Sequence, residues 1–138
     1  MANVVYPKAK QAFLTQSPAL DWDTDTIKAV LARSYTYSSS HQYLADVTGA
    51  GATLVGTAAT IGSRSATNGV ADGASITWTS VPSGAACNHI IIYKDTGSPS
   101  SSPLIAAIDT AASGLPVTPN GCDINVTWDS GASKIFAL

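Results

Sequence analysis

Short apolar runs separated by turn-forming residues recur along most of this chain. This pattern limits the folds that the chain can adopt more than any other feature. From residue 49 onward, clusters of Gly, Pro, Asn or Asp interrupt the sequence at intervals of roughly eight to twelve residues. That spacing is typical of the strands of a sandwich or barrel. The sequence therefore predicts a mainly β fold: an antiparallel β-sandwich or jelly-roll-like domain of about eight short strands.

The acidic residues support this fold class. All nine are Asp, and they accompany 11 Gly and 7 Pro. Asp favours turns and caps, whereas Glu, which the chain lacks, favours helix interiors. A length of 138 residues suits one domain with its own core. We expect an N-terminal arm or short helix over residues 1–20 and the β-sandwich domain over residues 21–138.

Four segments predict strands with particular surroundings. In "SITWTSV" and "DINVTWD" apolar residues alternate with polar ones, which predicts half-buried strands with Trp78 and Trp128 on the inner face. By contrast, "HIIIY" (residues 89–93) and "LIAAI" (residues 104–108) are continuous apolar runs, typical of strands covered on both faces. A further strand is predicted over residues 26–37.

One or two short helices are expected in the first third of the chain. Pro7 fits the first position of a helix that Ser17 and Pro18 would end. Residues 38–40, three serines, are candidate N-caps for one or two further helical turns. Both chain ends are apolar, so we expect them to dock on the domain or on neighbouring molecules.

Charge and hydropathy exclude several kinds of partner. The chain has seven Lys plus Arg and nine acidic residues, so its formal net charge is -2. No electrostatic attraction to nucleic acid or to an anionic membrane is therefore predicted. No apolar run has the length of a membrane span or a signal peptide, which predicts synthesis in the cytoplasm. Charged residues make up only 12% of the chain, a composition that suits a surface covered by neighbours.

The two cysteines leave two alternatives open. Cys87 and Cys122 could form one disulfide or remain two separate thiols, because spacing alone does not supply the geometry of a bridge.

The segment "DWDTDTIKAVL" invites a calcium-loop hypothesis, since Asp21, Asp23 and Asp25 occupy the first, third and fifth positions. That loop also needs Gly at the sixth position and Glu at the twelfth, where this chain has Thr26 and Ala32. The calcium hypothesis fails at both.

An extended segment would instead place the three carboxylates on one side and Trp22 on the other. We therefore predict a partner-facing start of a strand. The candidate interface residues are Trp22, Asp21, Asp23, Asp25, Phe136 and Leu138.

No catalytic or cofactor pattern is present. A serine hydrolase of the common α/β kind needs a G-x-S-x-G turn, which is absent, and His41 and His89 lack zinc-ligand spacing. The glycine-rich "GAGATLVG" lacks the lysine of a phosphate-binding loop. We expect no enzyme activity, no metal and no cofactor.

The aromatic residues allow two interpretations. A sugar-binding platform is one, because aromatic rings stack on the apolar faces of sugars. The other is core packing, which is the more frequent use of such residues in a small β domain. The residues concerned are Trp22, Trp78, Trp128, Tyr35, Tyr37, Tyr43 and Tyr93.

Several segments resemble a family of small structural proteins of tailed bacteriophages and their prophages. The most specific are "DWDTDTIK", "YKDTG", "LIAAIDT", "GLPVTPNG" and "TWDSGASKIFAL", and the similarity runs from about residue 6 to residue 138. The resemblance implies a virion component, most simply a head decoration or cement protein that binds the outside of the capsid. It implies no catalytic residues.

The partners implied are the major capsid protein and further copies of the chain, as a trimer or dimer. The alternatives are a tail, neck or fibre-associated virion protein, and a β-sandwich module that binds carbohydrate on the host surface.

Overall fold

A computed structural model of the chain describes residues 4–17, 19–109, 117–126, 128 and 135–137. The strands are β1 (Val4–Val5), β2 (Ile27–Arg33), β3 (Thr53–Thr60), β4 (Ser65–Thr67), β5 (Val70–Asp72), β6 (Ile76–Trp78), β7 (His89–Lys94), β8 (Leu104–Ile108), β9 (Ile124–Val126) and β10 (Phe136–Ala137). The helices are α1 (Pro7–Thr15) and α2 (Leu44–Gly49), with a 3-10 turn at Pro99–Ser101.

The described strands form three antiparallel sheets. A five-stranded sheet has the order β1-β8-β7-β2-β3, a three-stranded sheet the order β10-β5-β4, and β6 pairs with β9. The predicted class is confirmed: the molecule is a mainly β, sandwich-like domain, with two short helices among the described residues.

The continuous apolar runs lie where the sequence predicted them. β7 and β8 are interior strands of the large sheet, and Ile91, Ile92 and Ile105 have no exposed surface. Strands with neighbours on both edges and layers on both faces need apolar residues at every position rather than at alternate ones. The sandwich core is therefore centred on these two strands.

The alternating strand around Trp78 is also confirmed. Ile76 and Trp78 are buried, and Thr77 between them is exposed. The Trp78 indole N–H donates to the carbonyl oxygen of Ala29 at 3.0 Å, close to a register shift between Ala29 and Leu31 in the β2–β3 pairing. This bond connects the small β6–β9 sheet to the large one.

The first helix begins at Pro7 and ends at Thr15, as predicted, with Gln16 in the left-handed conformation that closes many helices. The strand predicted over residues 26–37 is shorter than expected. β2 ends at Arg33, because Ser34 has a φ of 57°, which an extended strand does not accommodate.

The predicted N-caps of the second helix were wrong. α2 starts at Leu44, and the carboxylate of Asp46 accepts the backbone N–H groups of Gln42 and Tyr43 at 2.8 and 2.9 Å. These bonds lower the pKa of Asp46, the one from Tyr43 first. Ser38 and Ser40 hydrogen-bond to each other instead, at 2.8 Å.

The chain ends that the structure describes dock on the domain itself. Val4 and Val5 pair with β8, and Phe136 and Ala137 pair with β5. Neither cysteine is disulfide-bonded: Cys87 is buried, which raises the pKa of its thiol, and Cys122 is exposed. Within the described residues, neither helix has the length and apolarity needed to cross a membrane.

Candidate functional site

The segment from Asp21 to Asp25 is a compact turn. Asp21 Oδ1 accepts the backbone N–H groups of Asp23 and Thr24 at 3.0 and 3.3 Å. The N–H of Asp25 donates to the carbonyl oxygen of Asp21 at 3.0 Å, and the N–H of Asp21 donates to Asp25 Oδ2 at 2.8 Å. The extended geometry predicted here was wrong, because local aspartate-to-backbone hydrogen bonds compete with a strand.

The hydrogen bonds around Asp21 also affect its acidity. Its pKa is lowered, chiefly by the Thr24 side chain and then by the Asp23 backbone N–H. The carboxylate of Asp21 thus both organises the turn and remains exposed to solvent.

Arg64 holds this turn from the adjoining loop. Its Nε donates to the carbonyl oxygen of Trp22 at 2.6 Å and its Nη2 to that of Asp23 at 3.2 Å. Further bonds reach the carbonyl oxygens of Ile61 and Asp25. One guanidinium therefore fixes the backbone of the turn without contacting its carboxylates. Sequence reasoning missed Arg64, since nothing in "IGSRSATNG" sets it apart from a solvated residue.

Lys94 fixes the other side of the turn. Its Nζ lies 3.1 Å from Asp25 Oδ2 and donates to the carbonyl oxygen of Ala19 at 2.9 Å. Asp25 is thereby paired with β7, so its charge is compensated within the domain.

Trp22 and Phe136 are core residues in this structure. Their exposed fractions are 4% and 8%, and their rings meet edge to face with centroids 5.1 Å apart. The Trp22 indole N–H donates to the carbonyl oxygen of Asp72 at 3.0 Å. The interface role predicted for both residues stays a prediction, because packing into the core does not test it, while Leu138 lies outside the described residues.

A cleft of about 250 Å³ opens beside these two rings, between the end of α1, the turn and the β4–β5 hairpin. We call it the aromatic cleft. It is lined by Phe13, Gln16, Leu20, Asp21, Trp22, Asp23, Ala66, Gly69, Ala71 and Phe136. Four of the six predicted interface residues thus line one cleft, although Phe136 is far from the others in sequence.

The chemistry of the aromatic cleft is that of an apolar slot with an acidic rim. Its aromatic walls would accept an apolar side chain, and the exposed Asp21 and Asp23 would attract a cation next to it. In the part of the chain that the structure describes, no three His, Cys, Asp or Glu side chains come together as metal ligands.

A polar cluster lies on the large sheet and the segment after β2. Its members are Tyr6, Tyr35, His41 and His89. The Tyr35 hydroxyl hydrogen-bonds to the Tyr6 hydroxyl and to His41 Nδ1, both at 2.7 Å. His89 stands edge-on to the Tyr35 ring at 5.0 Å. Burial raises the pKa of Tyr6 and of Tyr35. Sequence reasoning named Tyr35 among the aromatics but did not group it with either histidine.

No protein-family model matches this chain, and no curated protein matches it either.

Proposed function

We propose that this chain is a structural protein of tailed-bacteriophage particles, a decoration or cement protein on the outside of the head that stabilises contacts between major capsid subunits. The observation that supports it most is the aromatic cleft, which gathers Asp21, Trp22, Asp23 and Phe136 at one surface. These residues belong to "DWDTDTIK" and "TWDSGASKIFAL", two of the segments that carry the resemblance.

A bridging role gives the cleft a mechanical purpose. A head packed with DNA is under outward load, and a protein that spans two subunits adds buried surface that must be exposed before they separate. In this proposal an apolar side chain of the capsid subunit fills the aromatic cleft as an anchor. A Lys or Arg beside that anchor pairs with Asp21 and Asp23.

The cleft alone is too small for a stable contact. Specific interfaces bury roughly 1,000 Å² or more, so the surrounding surface, poor in charge, must contribute as well. Many copies on one particle add avidity to each contact.

Self-association is the second part of the proposal. β3 is an edge strand of eight residues with no charged side chain, and β2 is its one sheet partner among the described strands. Natural edges usually carry charges or prolines that block pairing with another chain. An uncharged edge suits contact with another copy, as a dimer or trimer, or with the capsid subunit.

The first experiment measures the copy number of the protein in purified virions, by quantitative mass spectrometry. Hundreds of copies per particle are expected for a head decoration protein. A few dozen or fewer would assign the chain to the tail, neck or fibres, and absence from the particle would overturn the proposal.

The second experiment tests the cleft on heads that lack the protein. Purified wild-type chain is expected to bind these heads and to raise the temperature at which they release DNA. Ala66→Tyr fills the aromatic cleft from the exposed strand β4 and should abolish both effects.

The matched control is Ser65→Tyr. Ser65 is the exposed neighbour of Ala66 on β4, and successive strand residues point to opposite faces. The Ser65→Tyr variant should therefore bind the heads as the wild-type chain does. Equal binding by both variants, each with an unchanged Tm, would show that the capsid contact lies elsewhere.

A further inference from the structure

The aromatic cleft lies on one face of the three-stranded sheet β10-β5-β4. Phe136 pairs with Ala71, and Ala71 pairs with Ala66, so these three residues form one row across the sheet. Paired residues of neighbouring strands have side chains on the same face. All three line the aromatic cleft, so the row is part of its wall.

The side chains of this row become small towards β4. Phe136 carries a ring that meets Trp22 edge to face. Ala71 and Ala66 carry only methyl groups, which leave the cleft of about 250 Å³ unfilled beside them. A large side chain placed one strand further out, next to Ala66, would share this face and would reach over the alanines into the cleft.

The backbone of β4 is open to such a strand. Among the described strands, β5 is the one sheet partner of β4. The N–H of Ile135 donates to the carbonyl oxygen of Ala71 at 3.1 Å, so the backbone polar groups of Ala71 are directed to β10. In an antiparallel pair of this kind, the opposite residue also directs its polar groups outwards. Ala66 therefore directs its N–H and C=O to the open edge of the sheet.

This edge lacks the usual protection against pairing. Natural edge strands are blocked by charges or prolines, whereas Ser65, Ala66 and Thr67 are uncharged and exposed. Arg64, the charged residue next to β4, is bonded to the carbonyl oxygens of Trp22 and Asp23 instead. An open strand edge beside an apolar cleft is the arrangement by which many domains bind an extended peptide.

The rim of the cleft adds a preference for basic residues. Asp21 and Asp23 line the cleft and are exposed. Arg64 exerts an electrostatic attraction on Asp21, and the carboxylate of Asp25 is paired with Lys94. One guanidinium beside the two rim carboxylates leaves the rim with a net negative charge, which favours Lys or Arg in a bound peptide.

We propose that the aromatic cleft binds an extended segment of the major capsid protein, which adds to β4 as an antiparallel fourth strand of the sheet. The segment places a large apolar residue opposite Ala66 and exchanges backbone hydrogen bonds with it. A Lys or Arg two residues along, on the same face, pairs with Asp21 or Asp23. The identity of this partner rests on the proposed head function, whereas the mode of binding rests on the row, the edge and the rim.

The experiment titrates the isotope-labelled full chain with synthetic heptapeptides while NMR follows the amide signal of Ala66. The peptides have the form Thr-Lys-Thr-X-Thr-Lys-Thr, where X is Phe, Tyr, Trp, Leu or Met. In an extended peptide both lysines and X share one face. At least one peptide is expected to shift the Ala66 amide signal and the Trp22 indole N–H signal in a saturable manner.

Two altered peptides separate the backbone contacts from the side-chain contacts. Methylation of the backbone nitrogen of X removes the N–H that would donate to the Ala66 carbonyl oxygen, and should weaken binding about tenfold. The peptide Thr-Thr-Lys-X-Lys-Thr-Thr has the same composition but places both lysines on the face opposite X. It should also bind more weakly than the original peptide.

Ala66→Pro is the deciding variant of the protein. Proline is tolerated on an edge strand where the missing N–H would face outwards. The variant should therefore keep the pairing of β4 with β5 and lose at least tenfold in affinity for the peptide. Ser65→Ala is the matched control, because the side chain of Ser65 lies on the opposite face of β4, and it should bind as the wild-type chain does.

Four results would overturn the proposal. They are the absence of saturable shifts with all five peptides, equal binding of the methylated peptide, equal binding by Ala66→Pro, and shifts of the Ala66 amide signal that depend on protein concentration alone. The last result would assign the edge to a second copy of the chain.

Failure of this proposal can be told apart from failure of the head function. The head function is read from copy number in virions and from the binding of wild-type chain to heads. If Ala66→Pro binds heads and raises their temperature of DNA release as the wild-type chain does, the head function stands and strand addition at β4 is wrong. If the chain is absent from virions but binds the peptides as expected, the mode of binding stands and the capsid protein is the wrong partner.

Discussion

Trp22 and Phe136 come from opposite ends of the chain and meet edge to face, with ring centroids 5.1 Å apart. Phe13 extends the group, its ring centroid 6.4 Å from that of Phe136. Through these rings α1, the turn at Asp21–Asp25 and the last described strand depend on one another. A change at Trp22 therefore acts on the fold before it acts on any partner.

Trp22→Ala should destabilise the domain by about 3–5 kcal/mol, the usual cost of truncating a buried aromatic residue. Trp22→Phe should cost less, because it keeps a ring against Phe136 and loses mainly the bond to the Asp72 carbonyl. Urea unfolding measures both values. Asp23→Asn is the control and should leave stability within about 0.5 kcal/mol of wild type, since Asp23 is exposed. Equal stability of Trp22→Ala and wild type would contradict the packing described above.

Arg64→Lys should loosen the turn although it keeps the positive charge. An ammonium group cannot reach the four carbonyl oxygens that the planar guanidinium contacts, so we expect a loss of about 1–3 kcal/mol. Amide hydrogen exchange should become faster at Asp23 and Asp25, whereas at β7 residues such as Ile91 it should change only by the factor that the lost global stability predicts. Unchanged exchange in the turn would show that the aspartate-to-backbone bonds alone maintain it.

Acid should weaken the domain partly through Asp46. Its pKa in the folded chain lies below its usual value, about 3.9 when unfolded, because Tyr43 and Gln42 donate backbone hydrogen bonds to the charged carboxylate. The stability it contributes is present above about pH 4 and is lost as the pH falls through the lowered folded pKa. Asp46→Asn should have a lower Tm than wild type at pH 7, and this difference in Tm should become smaller towards pH 2. A difference in Tm that does not change with pH would contradict the stabilising role of the Asp46 carboxylate.

Protonation of His89 should lower the stability of the domain in a separate, less acidic pH range. Burial lowers its pKa below the value of about 6.5 expected in the unfolded chain, so protonation favours unfolding. The stability that the neutral imidazole contributes is complete at neutral pH. It is lost as the pH falls from about 6.5 through the lowered folded pKa. Asp109, which faces the imidazole, reduces the effect. The Tm of wild type should fall between pH 7 and pH 5 more steeply than that of His89→Phe, and parallel curves would contradict the assignment.

The sequence predicted the parts of the fold that depend on local pattern. "HIIIY" and "LIAAI" are apolar at every position and became interior strands, and the alternation around Trp78 gave its inward ring. Pro7 marked the start of α1 because its fixed φ and missing N–H suit that position.

The candidate site could be predicted only in part, because it depends on contacts between distant segments. Asp21, Asp23, Trp22 and Phe136 were named from sequence, but a period-of-two argument placed the aspartates in a strand. The hydrogen bonds from Asp21 to the backbone prevent that. Arg64 and the meeting of His89 with Tyr35 follow from sheet topology, which one sequence does not reveal.

Because Arg64 hydrogen-bonds to backbone carbonyl oxygens and not to side chains, the turn has a particular freedom to evolve. Every residue type carries a carbonyl, so the shape of the turn does not depend on which side chain stands at Asp23. At Asp23 the rim of the aromatic cleft can therefore change its charge by a single substitution while its scaffold persists. A protein built this way could follow a drifting partner surface, and the same position could be randomised in the laboratory to redirect what the cleft recognises.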